Sequence, residues 1–165
     1  MNFINSHNIA YLAGLIDGEG SFSIQVDIQY HKKRPNVRIN PRITMTIRDG
    51  NKVLDELKQT FGGQIYSYPS GCRRWNLSKK QLILNATEEL LPYLRIKKQI
   101  AEQFIEAVKL IPATKQFKQK GERTLSQETA IKIAEVALSL NPETSRKTKE
   151  LLYTKLEKIK MVYEI

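Results

Sequence analysis

Apolar and polar residues alternate with a period that changes from block to block along this chain of 165 residues. Leu12, Leu15 and Ile16 give apolar surface to a run that starts near Ser6, a suitable N-cap, and ends about Asp17, which predicts a first helix. From Ser21 to Tyr30 the period drops to two: Phe22, Ile24, Val26 and Ile28 alternate with Ser23, Gln25, Asp27 and Gln29. Lys32 to Asn36 reads as a turn. After it, Val37, Ile39, Ile43, Met45 and Ile47 alternate with Arg38, Asn40, Arg42, Thr44 and Thr46. Pro41 interrupts that apolar face, so a bulge or an unpaired edge is expected there.

Asp49 or Asn51 can cap a second helix bearing Val53, Leu54, Leu57 and Phe61, closed by Gly62-Gly63. A second hairpin runs from Gln64 to Tyr68 and from Cys72 to Ser78 around Pro69-Ser70-Gly71. Its Ile65, Trp75 and Leu77 would face inward, and Tyr66, Tyr68, Arg74 and Asn76 outward. Lys80 to Asn85 is a further short apolar segment to which an extended conformation is open, and Glu88 to Leu94 reads as a short helix broken near Pro92. Ile100, Phe104, Ala107, Val108 and Ile111 form a helical stripe. A basic loop from Pro112 to Thr124 precedes two last helices, Ser126 to Leu140 and Pro142 to about Tyr163. Asn141-Pro142 is a strong start signal for the second, and Leu152, Leu156, Ile159 and Tyr163 mark its buried stripe. The sum is an α+β domain, αββαββα, over residues 1–165, with a core at about 6–111 and a C-terminal helical extension at about 125–163.

Within the first helix Ala10, Gly14 and Gly18 recur every four residues and line one side. Isolated Gly in a helix costs ~1 kcal/mol against Ala. Two of them in one short helix need a packing reason, and side chains this small let two backbones approach closely. Asp17 and Glu19 arrive at the helix end, where a sharp turn through Gly18 and Gly20 could aim a carboxylate outward.

Composition narrows the partners. Twenty-seven Lys and Arg against 17 Asp and Glu leave a net charge of +10, clustered at His31-Lys32-Lys33-Arg34, Arg73-Arg74, Arg95 to Lys98 and Lys115 to Arg123. Such clustering points to nucleic acid. Anionic membrane is the competing partner, but no amphipathic stretch is basic enough on one face to favour it. The single Cys72 excludes a disulfide framework within one chain. No apolar stretch approaches membrane-span length, and residues 1–5 lack the character of a signal peptide. A soluble, intracellular protein is expected, in the cytoplasm of a prokaryote or in an organelle.

Leu12-Ala13-Gly14-Leu15-Ile16-Asp17-Gly18-Glu19-Gly20 resembles the signature of the LAGLIDADG homing endonucleases, matching its first six residues and ending Gly-Glu-Gly in place of Ala-Asp-Gly. An ordinary amphipathic helix with a glycine C-cap is the alternative. The αββαββα order is also that family's fold, so the resemblance extends over roughly the first 110 residues. It implies a saddle-shaped antiparallel sheet over DNA, and paired signature helices that each deliver one acid to a metal-dependent nuclease centre. One copy of the signature implies a homodimer through Ala10, Gly14, Asp17 and Gly18, a near-palindromic double-stranded target and 3′ overhangs. Intron-encoded status is implied as well.

By the same resemblance Glu19 is the catalytic acid and metal ligand, the Gly18 carbonyl a further ligand, and Lys97 the active-site lysine, with Lys98 its neighbouring alternative. Asp17 is read as capping or bracing the helix end. Mg²⁺ fits because it takes few carboxylates and keeps its waters. Mn²⁺ would substitute, and Ca²⁺ would support binding without cleavage. Many members place a polar residue at the end of the second strand, where Ile47 stands here. A following basic residue has only Asn51 and Lys52 as candidates, with Gly50 blurring the match. Ser23, Gln25, Asp27, Gln29, Arg38, Asn40, Arg42, Thr44, Tyr66, Tyr68, Arg74 and Asn76 mix donors and acceptors suited to base edges. Lys32, Lys33, Arg34 and the 115–123 loop are suited to phosphates. An intron RNA maturase, which would bind intron RNA, and a non-catalytic DNA-binding regulator are the rival functions.

Overall fold

A computed structural model describes residues 6–31, 34–48, 52–112, 125–140, 150, 154 and 157–161. Helix α1 (Ser6–Glu19) leads into a hairpin of β1 (Gly20–His31) and β2 (Arg34–Arg48). Helix α2 (Val53–Phe61) precedes the second hairpin, β3 (Gln64–Ser67) and β4 (Cys72–Leu77). Helices α3 (Lys80–Leu90), α4 (Lys98–Leu110) and α5 (Gln127–Ser139) follow. The four strands form one antiparallel sheet in the order β1-β2-β4-β3. No helix among the described residues is long and apolar enough to cross a membrane.

Alternation decides which face of the sheet is dry. Phe22, Ile24, Val26, Val37, Ile43, Met45, Trp75 and Leu77 are buried against α1, α2, α3 and α4, each full burial of a large side chain contributing ~1.5–3 kcal/mol. Phe22 meets Phe104 of α4 with ring centroids 5.4 Å apart. Trp75 packs on Phe61 and donates from Nε1 to the Gly62 carbonyl at 2.8 Å. Gly62 and Gly63, at φ 80° and 90°, turn α2 into β3, and Gly71 at φ 81° turns the second hairpin. Helix α5 is capped by Ser126, whose Oγ accepts from the Thr129 amide at 3.2 Å, and it buries Ala130, Ile133, Ala134 and Ala137 in the same apolar cluster.

Three local expectations are corrected, and a fourth is resolved between its two alternatives. Helix α1 continues past Asp17 to Glu19, and the chain enters β1 with no glycine turn at Gly18 or Gly20. Gly20 is needed for contact: a Cβ there would lie 2.7 Å from the Ile16 carbonyl oxygen. At Pro41 there is no bulge, and the unpaired edge, the other expectation, is what the sheet has there. Pro41 sits in unbroken register opposite Ile24, beyond the end of the β2–β4 pairing at Ile43–Leu77, so its missing N–H disturbs no second ladder. Lys80–Leu90 is one helix, because Ile83, Ala86, Thr87 and Leu90 make a buried face at helical spacing. Helix α2 has Lys52 at its N-cap with no side-chain cap; Asp49 and Asn51 lie outside the described residues. So do Lys32, Lys33, the 113–124 loop and the Asn141-Pro142 start.

One polar interaction ties the first helix to the fourth. Asp17 is buried, and its carboxylate accepts from the backbone amides of Arg95 at 2.6 Å, Lys97 at 2.9 Å and Ile96 at 3.2 Å. Burial by itself would raise its pKa. The amides of Arg95, Lys97 and Ile96 outweigh that, helped by the Lys97 charge, and the net direction is downward from 3.8. A lowered folded-state pKa contributes stability that is complete above the ordinary carboxylate range and is lost as pH falls through the folded value. Asp17→Asn should therefore cost ~2 kcal/mol at neutral pH. That deficit, read from denaturant midpoints, should shrink steadily on acidification below about pH 4; a deficit independent of pH would refute the assignment.

Candidate active site and nucleic-acid interface

The face of the sheet opposite the core carries the polar half of the alternation. Register lines these side chains into rows: Ser23 beside Arg42, Gln25 beside Asn40 and Asp27 beside Arg38. A further row runs Ser21, Thr44, Asn76, Gln64 across all four strands. Gln25, Arg38, Arg42, Tyr66, Tyr68 and Arg74 are exposed, and Ser23, Asp27, Asn40, Thr44 and Asn76 half-buried. Neighbours hold one another: Gln25 donates to Asp27 at 2.7 Å, Arg38 Nε to Asn40 at 3.2 Å and Tyr66 to Gln64 at 2.5 Å. The candidate base-reading residues thus share one surface. The side chains of Gln29 and Arg34 lie outside the described residues.

The two arginines at 73 and 74 separate by strand alternation. Arg73 forms a two-pronged pair with Asp55 of α2, at 3.1 and 3.3 Å, and braces helix to sheet. Arg74 stands on the polar face, where its Nε donates to Thr46 Oγ1 at 2.9 Å. Thr46, Ser21 and Gln64 were not among the candidates although the alternation already placed them on this face. Ile47, by contrast, packs half-buried against the core, and the polar residues at the end of β2 are its neighbours Thr46 and the exposed Arg48.

At the edge of this surface α1 ends. Glu19, its last residue, is exposed, and no described residue hydrogen-bonds or pairs with its carboxylate. Lys97 caps α4, where an ammonium gains nothing from that helix's dipole. Its side chain turns back instead, and Nζ donates to the carbonyls of Asp17 and Gly18, the latter at 3.3 Å. There it meets the negative end of α1. Lys98 has no such contact among the described residues. Glu19, the Gly18 carbonyl and Lys97 are accordingly brought to one place by the Asp17 tie.

Gly14 and Gly18 are exposed on α1, and a Cβ added to either would meet nothing within 4 Å. Tyr11 is exposed beside them and Ala10 half-buried. Asp17 does not share this outward face as expected, because its carboxylate points into its own chain. Among the described residues no three His, Cys, Asp or Glu side chains converge as a metal site. One unpaired carboxylate and a backbone carbonyl fit part of an oxygen-ligand shell for a hard cation, which a second such end could extend.

Solved structures share this architecture. The homing endonuclease I-CvuI, in complex with the I-CreI target in the presence of Mg, superposes with a TM-score of 0.73 at 21% identity, covering 96% of this chain and 98% of that one. I-TnaI, also a homing endonuclease, gives 0.71 at 21% identity over 92% and 97%. The LAGLIDADG meganuclease I-AabMI bound to uncleaved DNA gives 0.64 at 22% identity, over 88% of this chain but 48% of its own. No curated protein matches the sequence. The family model described as LAGLIDADG endonuclease matches residues 12–108, a span that holds the signature at the end of α1, both hairpins and Lys97. This chain is a member of the LAGLIDADG endonuclease family.

Proposed function

We propose that two copies of this chain pair through α1 and act as a Mg²⁺-dependent homing endonuclease that cuts a long, near-palindromic double-stranded DNA site. The observation that carries the reading is the pair of helical glycines over open space. A side chain at Gly14 or Gly18 would meet nothing in the described chain, and neither has a positive φ, yet each costs helix stability. A self-complementary helix contact across a two-fold axis accounts for both. It also sets two Glu19 carboxylates near that axis, completing what one chain holds only in part. The half-length match to I-AabMI is what a fused pair of such units would give.

Divalent metal at this centre would neutralise charge on the scissile phosphate and activate a water. Glu19 and the Gly18 carbonyl would hold it. Lys97, positioned by Asp17 and by the end of α1, brings a positive charge to offset the charge that builds up in the transition state. The polar faces of two sheets would form one continuous surface along the DNA, with the +10 charge of each chain drawing it to phosphates.

Glu19→Gln should retain target binding in Ca²⁺ but lose cleavage in Mg²⁺ by more than the ~10–100-fold typical of outer-shell changes; undiminished cutting would remove Glu19 from the centre. Lys97→Met should slow cutting ~100-fold, and Lys98→Met should leave it unchanged, in single-turnover assays. Gly14→Leu should keep its helical circular dichroism yet sediment as monomer or aggregate. A variant that still sediments as the wild-type dimer would overturn the packing argument.

A further inference from the structure

Arg74 differs from the other arginines of the polar face in being held from two sides, by a hydrogen bond and by an aromatic ring. Its Nε–H is committed to Thr46 Oγ1 at 2.9 Å on the neighbouring strand. Its guanidinium carbon lies 5.4 Å from the centroid of the Tyr68 ring, within cation–π range. Neither Nη has a hydrogen-bond partner among the described residues, and the side chain is exposed. What remains is a flat, two-pronged donor at the end of a side chain whose rotations are already restricted.

We infer that Arg74 is a specificity-determining residue that reads one guanine in each half of the target, with Thr46 and Tyr68 as its positioning residues. The inference rests on the proposed DNA reading and deepens it. Guanine offers two acceptors, N7 and O6, side by side in the major groove, and an arginine fork matches them. A phosphate contact asks less of the protein: a mobile lysine serves as well, and holding Nε on a threonine would waste a donor.

Register also gives the location of that guanine. Gly20, which follows Glu19, pairs with Met45, and Met45 pairs with Trp75, the neighbour of Arg74. Two strand spacings, about 10 Å, therefore separate the active-site end of β1 from the strand carrying Arg74. Arg38 pairs with Asp27, about 23 Å along β1 from Gly20 at ~3.3 Å per residue. Arg42, opposite Ser23, lies about 10 Å along β1 from Gly20, so Arg74 and Arg42 both belong to the central part of the target, and Arg38 to its outer part. In a two-fold dimer the guanine recurs at the mirror position, on the opposite strand.

The test is a binding selection on randomised duplex DNA in Ca²⁺ with full-length wild type, Arg74→Lys and Thr46→Val. Wild type should enrich guanine at one symmetry-related pair of central positions. Arg74→Lys keeps the charge but loses the fork, and should lower that enrichment about tenfold while leaving other positions as they were. Thr46→Val should weaken enrichment at the same pair only, with unchanged thermal stability. An Arg74→Lys protein that selects the same sequence as wild type, with affinity reduced equally for every DNA, would make Arg74 a phosphate contact and overturn the assignment. A wild type that recovers no consensus at all would take down the DNA reading itself, and this inference with it.

Discussion

Two helix ends exchange charges, and the candidate site depends on that exchange. Asp17, on the last turn of α1, places its carboxylate on three amides at the entrance of α4. Lys97, at that entrance, places its ammonium on the carbonyls that close α1. Each charge would be badly placed on its own helix, an acid at a C-terminal end and a cation at an N-terminal one. On the other helix each meets the sign it needs. The geometry of Glu19, the Gly18 carbonyl and Lys97 follows, since all three lie next to this crossed tie.

The sheet divides its work by alternation with similar economy. One parity of residues builds a core around Trp75, Phe22 and Met45; the other forms a surface in which side chains already hold one another. Adjacent arginines go to opposite tasks, Arg73 to a carboxylate on α2 and Arg74 to Thr46 and the open face. Surface ion pairs such as Arg73–Asp55 are worth little singly. Its role is better seen in the direction it gives α2 than in stability.

Much of this was legible in the residues. The hairpins could be read because period-two alternation is a physical consequence of the pleat, and the helices with broad apolar stripes, α2 and α4, could be read for the same kind of reason. Lys80–Asn85 is ambiguous because an apolar run that short satisfies either period; the rest of its buried face, Ala86, Thr87 and Leu90, lies beyond it. The signature alone could not show that Asp17 turns inward, since its three donors are backbone amides near residue 96 and carry no side-chain code. That Lys97 reaches the end of α1 likewise needed the path of the chain around α4's first turn. Thr46 was visible as a face residue, but its partner on β4 required register.

The small-residue side of α1 has a consequence for inheritance. In the proposed dimer the gene encodes one sheet, and every change in it is expressed at both ends of the target. A single substitution cannot adapt the protein to a one-sided change in its DNA; it shifts two mirror-related positions together. Drift of the target away from symmetry can be followed only after the coding unit is duplicated and the copies diverge. In that dimer the glycines at 14 and 18, by allowing the chain to meet itself, would also bind its evolution to palindromes.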